Sequence, residues 1–204
     1  SMLREGIKRA SGTFRALFIE RQHPPLARFL VAFFIYNDGI LTVVAFAAVF
    51  AQSVLAMTDA EIIGFFAVVQ TSAVIGSVVF GVITDKIGPK RTIAITLLIW
   101  IAIVIGAFFV QTVGQFYAVA LAAGVAMGSS QSASRSLMAL LTPRNREAEF
   151  FGFYDGLCGK ASAVIGPLLF GNLADLTGQR VATLSVGVFF VVGLILLRGV
   201  KEER

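Results

Sequence analysis

Two residues of opposite charge stand inside long apolar runs of this sequence, Asp38 in Tyr36-Asn37-Asp38-Gly39 and Lys160 in Gly159-Lys160-Ala161. A charge surrounded by hydrocarbon must be paired, hydrated or neutralised by proton transfer, because an isolated one is too costly there. Asp38 lies nine residues past Phe29, about 13 Å deep at the helical rise, and Lys160 falls near the centre of another run. Three readings stay open for them: a structural ion pair, a switch that couples to a proton or other ion, and two separately hydrated positions. Asp155 precedes Lys160 by five residues and so sits on a different helix face. A third run carries Gly124, Gly128, Ser129, Ser130, Gln131, Ser132, Ser134 and Arg135. Its glycines, four apart, permit tight helix packing. Gln131 and the serines offer hydrogen bonds to a polar solute, while Arg135 suits a carboxylate or a loop brace. Packing with gating is the favoured reading of that run over direct solute binding.

None of this is bond-breaking chemistry. No apolar run contains a histidine, and no Ser-His or Cys-His set exists that could make a nucleophile. His23 sits among Arg21, Gln22, Pro24 and Pro25, which suits a solvated or interfacial position. Cys158 is the one cysteine, so an intramolecular disulfide is ruled out, and no metal-ligand spacing surrounds it. No enzyme, metal or cofactor is expected.

The elements that must position these groups are membrane spans. Of 204 residues, 57% are hydrophobic and 14% charged, with a mean hydropathy of +0.85, whereas a soluble domain is about one quarter charged. A hydrocarbon core of about 30 Å takes roughly 20 helical residues to cross. Six such runs can be drawn: Phe29 to Gln52, Glu61 to Thr84, Ile93 to Thr112, Phe116 to Leu141, Phe150 to Ala174 and Val181 to Leu197. The expected division is a basic segment over 1–28, a six-helix all-α transmembrane domain over 29–198 and a tail over 199–204. Leu3, Ile7, Ala10, Phe14, Leu17 and Phe18 recur at helical spacing in the first segment, as an interfacial helix would have them, the alternative being a disordered basic linker. That start does not read as a secretory leader, and Ser1 ahead of Met2 reads as a remnant of tag cleavage.

Lys and Arg give the orientation through the positive-inside rule. Six precede the first span, and the second connection, the fourth connection region and the tail carry three each. Arg180 alone lies on the other side. Both termini are therefore expected in the cytoplasm, in a plasma or bacterial inner membrane, and the basic excess reads as topology rather than nucleic-acid binding. Spans three and six are almost purely apolar and are expected to face lipid.

The second connection reads Gly81-Val-Ile-Thr-Asp85-Lys86-Ile-Gly88-Pro89-Lys90-Arg91. Gly81 permits close helix approach, Gly88 supplies a turn conformation other residues resist, and Asp85 can pair with a base or cap a neighbouring helix. A degenerate copy, Gly171-Asn-Leu-Ala-Asp175-Leu-Thr-Gly178-Gln-Arg180, falls three spans later on the opposite face. An inverted three-plus-three repeat would leave such a pair, with chance likeness of Gly- and Asp-containing turns as the alternative. In the fifth span, Gly152, Gly156 and Gly159 precede Gly166-Pro167, and the proline is expected to kink a helix that rocks.

The spacing of Gly81, Asp85, Lys86, Gly88 and Lys90 resembles the signature between the second and third helices of each half of a major facilitator transporter, with Pro89 a slight departure. Tyr36-Asn37-Asp38-Gly39, Gly128-Ser-Ser-Gln131-Ser-Ala-Ser134-Arg135-Ser136 and Phe150-Phe-Gly152-Phe-Tyr154 resemble the bacterial branch related to fungal vacuolar amino-acid effluxers. The resemblance covers nearly the whole chain after residue 28, as a C-terminal six-helix half. It implies secondary transport of a small polar solute, amino acids among the candidates, and a gating loop that latches against the opposite half. Such a half needs a second face, supplied by an N-terminal six-helix half or by another copy as a homodimer. The rival reading is a structural or assembly half that transports nothing.

Overall fold

The computed structural model describes residues 23–144, 146–159 and 162–201. The amphipathic N-terminal segment and Lys160 lie outside these. Helix α1 spans Pro24–Leu55, α2 Asp59–Ile87, α3 Pro89–Phe109 and α4 Val113–Leu141. There follow α5 (Glu147–Phe153), a π-helical stretch (Tyr154–Gly159), α6 (Ile165–Thr177) and α7 (Gln179–Arg198). Helices α1 to α4 and α7 are each long and apolar enough to cross a membrane.

The fifth apolar run is not one bent helix. Among the described residues a turn at 162–164 separates the π-helical stretch from the helix that starts at Ile165, so the expected kink at Pro167 is replaced by a break. Pro167 is the third residue of α6, where its missing N–H is one that a first turn leaves unbonded in any case. Helices α1, α2 and α4 outrun the apolar stretches at their N-termini, where the chain carries helix-start signals. Pro24 and Pro25 start α1. Thr58 with Glu61, and Thr112 with Gln115, form reciprocal capping boxes at the starts of α2 and α4.

Two turns are built alike. Gly88 (φ 89°, ψ 151°) joins α2 to α3, and Gly178 (φ 84°, ψ 158°) joins α6 to α7. Both occupy backbone that a side chain resists, and both donate N–H to the carbonyl four residues back, Thr84 or Ala174, at 2.9 Å. Two residues past each glycine is a base. Lys90 Nζ donates to the carbonyls of Arg198 (3.1 Å) and Val200 beyond the end of α7. Arg180 donates to the carbonyls of Phe108 (3.0 Å) and Val110 at the end of α3. Each helix of the packed α3/α7 pair is thus capped at its C-terminus by a cation from the start of the other, which also suits the helix dipole.

Glycine sets the closest seam, between α2 and α4. A Cβ on Gly124 would lie 1.9 Å from Ser72 Oγ, one on Gly128 1.9 Å from the Ala73 carbonyl, and one on Gly76 2.5 Å from the Val125 carbonyl. The small-residue spacing in α4 therefore serves packing, as expected. Gly81, Gly152, Gly156 and Gly171 differ, because a Cβ at each meets nothing within 4 Å. The close approach expected of Gly81 is not found among the described residues, although Thr84, one turn on, is buried. At the centre Trp100 of α3 stacks on Phe190 of α7 (5.3 Å, 15°) and donates Nε1–H to Ser130 Oγ of α4 at 3.2 Å.

Gly128→Val is expected to lose about 3 kcal/mol or more through overpacking, whereas Gly81→Ala, inside α2 with open space at its Cβ, is expected to gain about 0.5 kcal/mol from helix propensity. Thermal unfolding of the purified variants in detergent checks both.

Candidate functional site

Asp38 lies midway along α1 and is 0% exposed. Its Oδ2 accepts the Gly166 N–H at 2.8 Å. Gly166 is the second residue of α6, so the carboxylate faces the positive end of a helix dipole and satisfies an N–H that the break leaves without a helical partner. Among the described residues its other oxygen, Oδ1, has no hydrogen-bond partner. The approach depends on glycine: a Cβ on Gly166 would sit 2.0 Å from Thr42 Oγ1 and 3.0 Å from Asp38 Oδ1. Thr42 Oγ1 donates back to the Asp38 carbonyl at 2.7 Å.

The preceding residue attends to the other side of the break. Asn37 Nδ2 donates to the Gly159 carbonyl at 3.2 Å and to Ser162 Oγ at 2.7 Å, and Ser162 in turn donates to the Gly159 carbonyl at 3.0 Å. Consecutive residues of one helix thus supply a donor to the carbonyl where the π-helical stretch ends and an acceptor to the N–H where α6 begins. In hydrocarbon, backbone groups freed by a break need such partners.

Tyr36 turns toward α4. Its hydroxyl is 2.7 Å from Ser134 Oγ, and Ser134 donates to the Ser130 carbonyl in its own helix. Ser129 likewise donates to the Val125 carbonyl. These serines are committed to backbone and to Tyr36 rather than left open for a solute. Tyr36, Asn37, Asp38 and Ser134 therefore belong to the interface of α1 with α4 and the broken helix. Gln131, Arg135 and Asp155 do not join them; all three are exposed. Lys160 is outside the described residues, and the partner Asp38 has within them is the N-terminus of α6 instead of a cation.

In the expected gating loop, Asp85, Lys86 and Arg91 are exposed, Gly88 is buried in its turn, and Lys90 caps α7. His23 is partly buried, its ring edge-on to Phe150 at 5.8 Å. A cavity of 60 Å³ between the helices is lined by Phe46, Phe50, Phe65, Phe116 and Phe170, an apolar setting unsuited to a polar solute. Sequence reasoning missed Thr42 and Ser162 and took Gly166 only as part of a kink. The Gly166-Pro167 pair was the available signal, since a Gly/Pro interruption of a hydrophobic segment marks a discontinuous helix.

Five helices are apolar enough to cross a membrane, and a further apolar run is broken and held on both sides of the break by α1, a feature found in transporters. Comparison with known proteins agrees. The model of the family described as vacuole effluxer Atg22 like matches residues 1–204. An uncharacterized MFS-type transporter of Bacillus subtilis, YxiO, is 31% identical over 90% of this chain and 42% of its own length. Autophagy-related protein 22 of Kluyveromyces lactis is 30% identical over 86% and 38%, and that of Yarrowia lipolytica 32% over 90% and 34%. The chain belongs to the Atg22-like vacuole effluxer family, a major facilitator group of transporters rather than enzymes. It spans about two fifths or less of the length of these curated relatives.

Gly166→Ala is expected to cost about 3 kcal/mol, because its methyl group meets Thr42 Oγ1. Adding Thr42→Ala should recover about 1 kcal/mol of that, a coupling that a double-mutant thermal cycle measures.

Proposed function

We propose that this chain is a six-helix half of a secondary active transporter that moves a small polar solute by alternating access. The observation that carries the reading is the clamp of Asn37 and Asp38 on the broken helix. α5, the π-helical stretch and α6 together form the fifth of six crossings, and α6 moves against α1 about the break. The alike turns at Gly88 and Gly178, and the exchanged caps of Lys90 and Arg180, support an inverted three-plus-three repeat. In that repeat α1 packs on α7 as α4 packs on α3.

Both termini face the cytoplasm, in the plasma or bacterial inner membrane, and residues 29–198 form the transmembrane domain. The solute meets the exposed side of α4, where Gln131 and Arg135 stand one turn apart; Asp155 and Lys160 complete the candidate polar set. A cation there suits solutes bearing a carboxylate, amino acids included. The covering face comes from an N-terminal six-helix half or from a second copy. The loop from Gly81 to Arg91 latches against it, with Asp85, exposed in this chain, as the latching group.

Flux of labelled amino acids in proteoliposomes, with and without the other half, tests the reading: transport that appears with the second face supports it, and none in either preparation overturns it. Asp85→Asn should leave thermal stability within about 0.5 kcal/mol, as an exposed substitution does, while lowering the transport rate about tenfold.

A further inference from the structure

The two ends of the α3/α7 pair share one cap geometry but differ in charge. At one end Lys90 Nζ donates to the carbonyls of Arg198 and Val200, and at the other Arg180 donates to those of Phe108 and Val110. A single cation completes each cap. The residue after Lys90 is Arg91, whereas the residue after Arg180 is Val181, and the capped carbonyl that belongs to Arg198 at one end belongs to Phe108 at the other. The side chains of Arg91 and Arg198 are therefore surplus to the cap, which brings their backbones together. Both residues are exposed, and among the described residues neither guanidinium has a hydrogen bond or an ion pair.

Each of these arginines also closes an exposed apolar stripe. On α3, Ile95 and Leu98 follow Arg91 on one helix face, and on α7, Val191 and Ile195 precede Arg198 on one face. The helices are antiparallel, since the start of each is capped onto the end of the other, so both stripes finish in a guanidinium at the same end of the pair. A cation beside exposed hydrocarbon matches a phospholipid, whose headgroup phosphate is an anion and whose chains are apolar. Arginine pairs bidentately with phosphate, and basic positions between helices on the cytoplasmic side hold anionic headgroups.

We propose that Arg91 and Arg198 form a site for an anionic phospholipid on the exposed face of the α3/α7 pair, with the phosphate between the two guanidiniums and an acyl chain along Ile95 and Ile195. This rests on the membrane orientation proposed above, which places this end of the pair in the cytoplasmic leaflet. A bound headgroup clasps from outside the helix ends that Lys90 joins, and so stabilises the pair. The opposite end, with Val181 and Phe108 in the matching positions, has no such site. Asp85 is exposed and makes no bond to either arginine among the described residues. Glu202 and Glu203 lie outside the described residues and are included in the test.

Native mass spectrometry of the purified chain, titrated with phosphatidylglycerol or phosphatidylcholine, reads the site without any solute or second half. The wild-type protein is expected to hold phosphatidylglycerol about tenfold tighter than phosphatidylcholine, as two cations beside one anionic headgroup provide. Arg91→Gln and Arg198→Gln each lower that preference about threefold, and the double variant loses it. Phosphatidylglycerol raises the unfolding temperature of the wild-type protein and not that of the double variant, while in phosphatidylcholine the two unfold alike. Arg144→Gln, which removes an exposed cation of the connection between α4 and α5, keeps the preference, as does Glu202→Gln combined with Glu203→Gln. Equal affinity of the wild type for both lipids, a preference that survives in the double variant or is lost in Arg144→Gln, or displacement of the lipid by excess inorganic phosphate would each overturn the proposal. Flux failing while the lipid preference persists would overturn the transporter reading instead, so the two failures are distinct.

Discussion

A helix interrupted inside a membrane leaves backbone N–H and C=O groups with no water to turn to, and this constraint organises the middle of the molecule. The solution is two adjacent residues of α1. Asn37 brings a donor to the Gly159 carbonyl, and Asp38 brings an acceptor to the Gly166 N–H. Neighbours on a helix project about 100° apart, so one side chain can reach each side of the gap. The order matters as well, because a carboxylate suits the N-terminus of α6 and would be repelled by the carbonyl that ends the π-helical stretch. Gly166 and Thr42 follow from the same constraint: the first removes a side chain from the contact, and the second fills the space that removal creates.

Elsewhere the helices are held by close packing. The glycine seam of α2 and α4 brings backbone against backbone, and Trp100 ties α3, α4 and α7 at one point through stacking and a hydrogen bond. The exchanged caps of Lys90 and Arg180 hold both ends of the α3/α7 pair. A base inside the signature loop thus has an internal duty distinct from that of Asp85, which points outward. One loop thus ties the start of α3 to the end of α7 through Lys90 while Asp85 stays exposed.

Much of the architecture was legible in the sequence. The apolar runs located α1 to α4 and α7, and the paired Gly/Asp strings located two turns that share one backbone geometry. Helix ends were less well read because hydropathy stops where charges begin, although Thr58-x-x-Glu61 and Thr112-x-x-Gln115 are capping signals that carry α2 and α4 further. The fifth run defeated hydropathy altogether. Its glycines and Pro167 read as a kink, since composition alone does not say whether a weak point bends or parts. Nor does depth name a partner: Asp38 and Lys160 matched in estimated depth, yet the group found on Asp38 is a main-chain N–H, which has no signature in a sequence.

That last point explains why polar residues in this chain divide as they do. Ser129, Ser130 and Ser134 look like solute ligands by type, but a hydroxyl on a membrane helix can always bond the carbonyl one turn back, and these do. Gln131 and Arg135 are too long to be absorbed in that way and remain at the surface of α4. The side chains left over after the backbone has taken its share are therefore the longer ones, on an open face. Of the buried polar groups, Asp38, Thr42 and Ser162 gather at the break, and the Tyr36 hydroxyl beside Ser134 ties the same stretch of α1 to α4, on whose exposed side Gln131 and Arg135 stand.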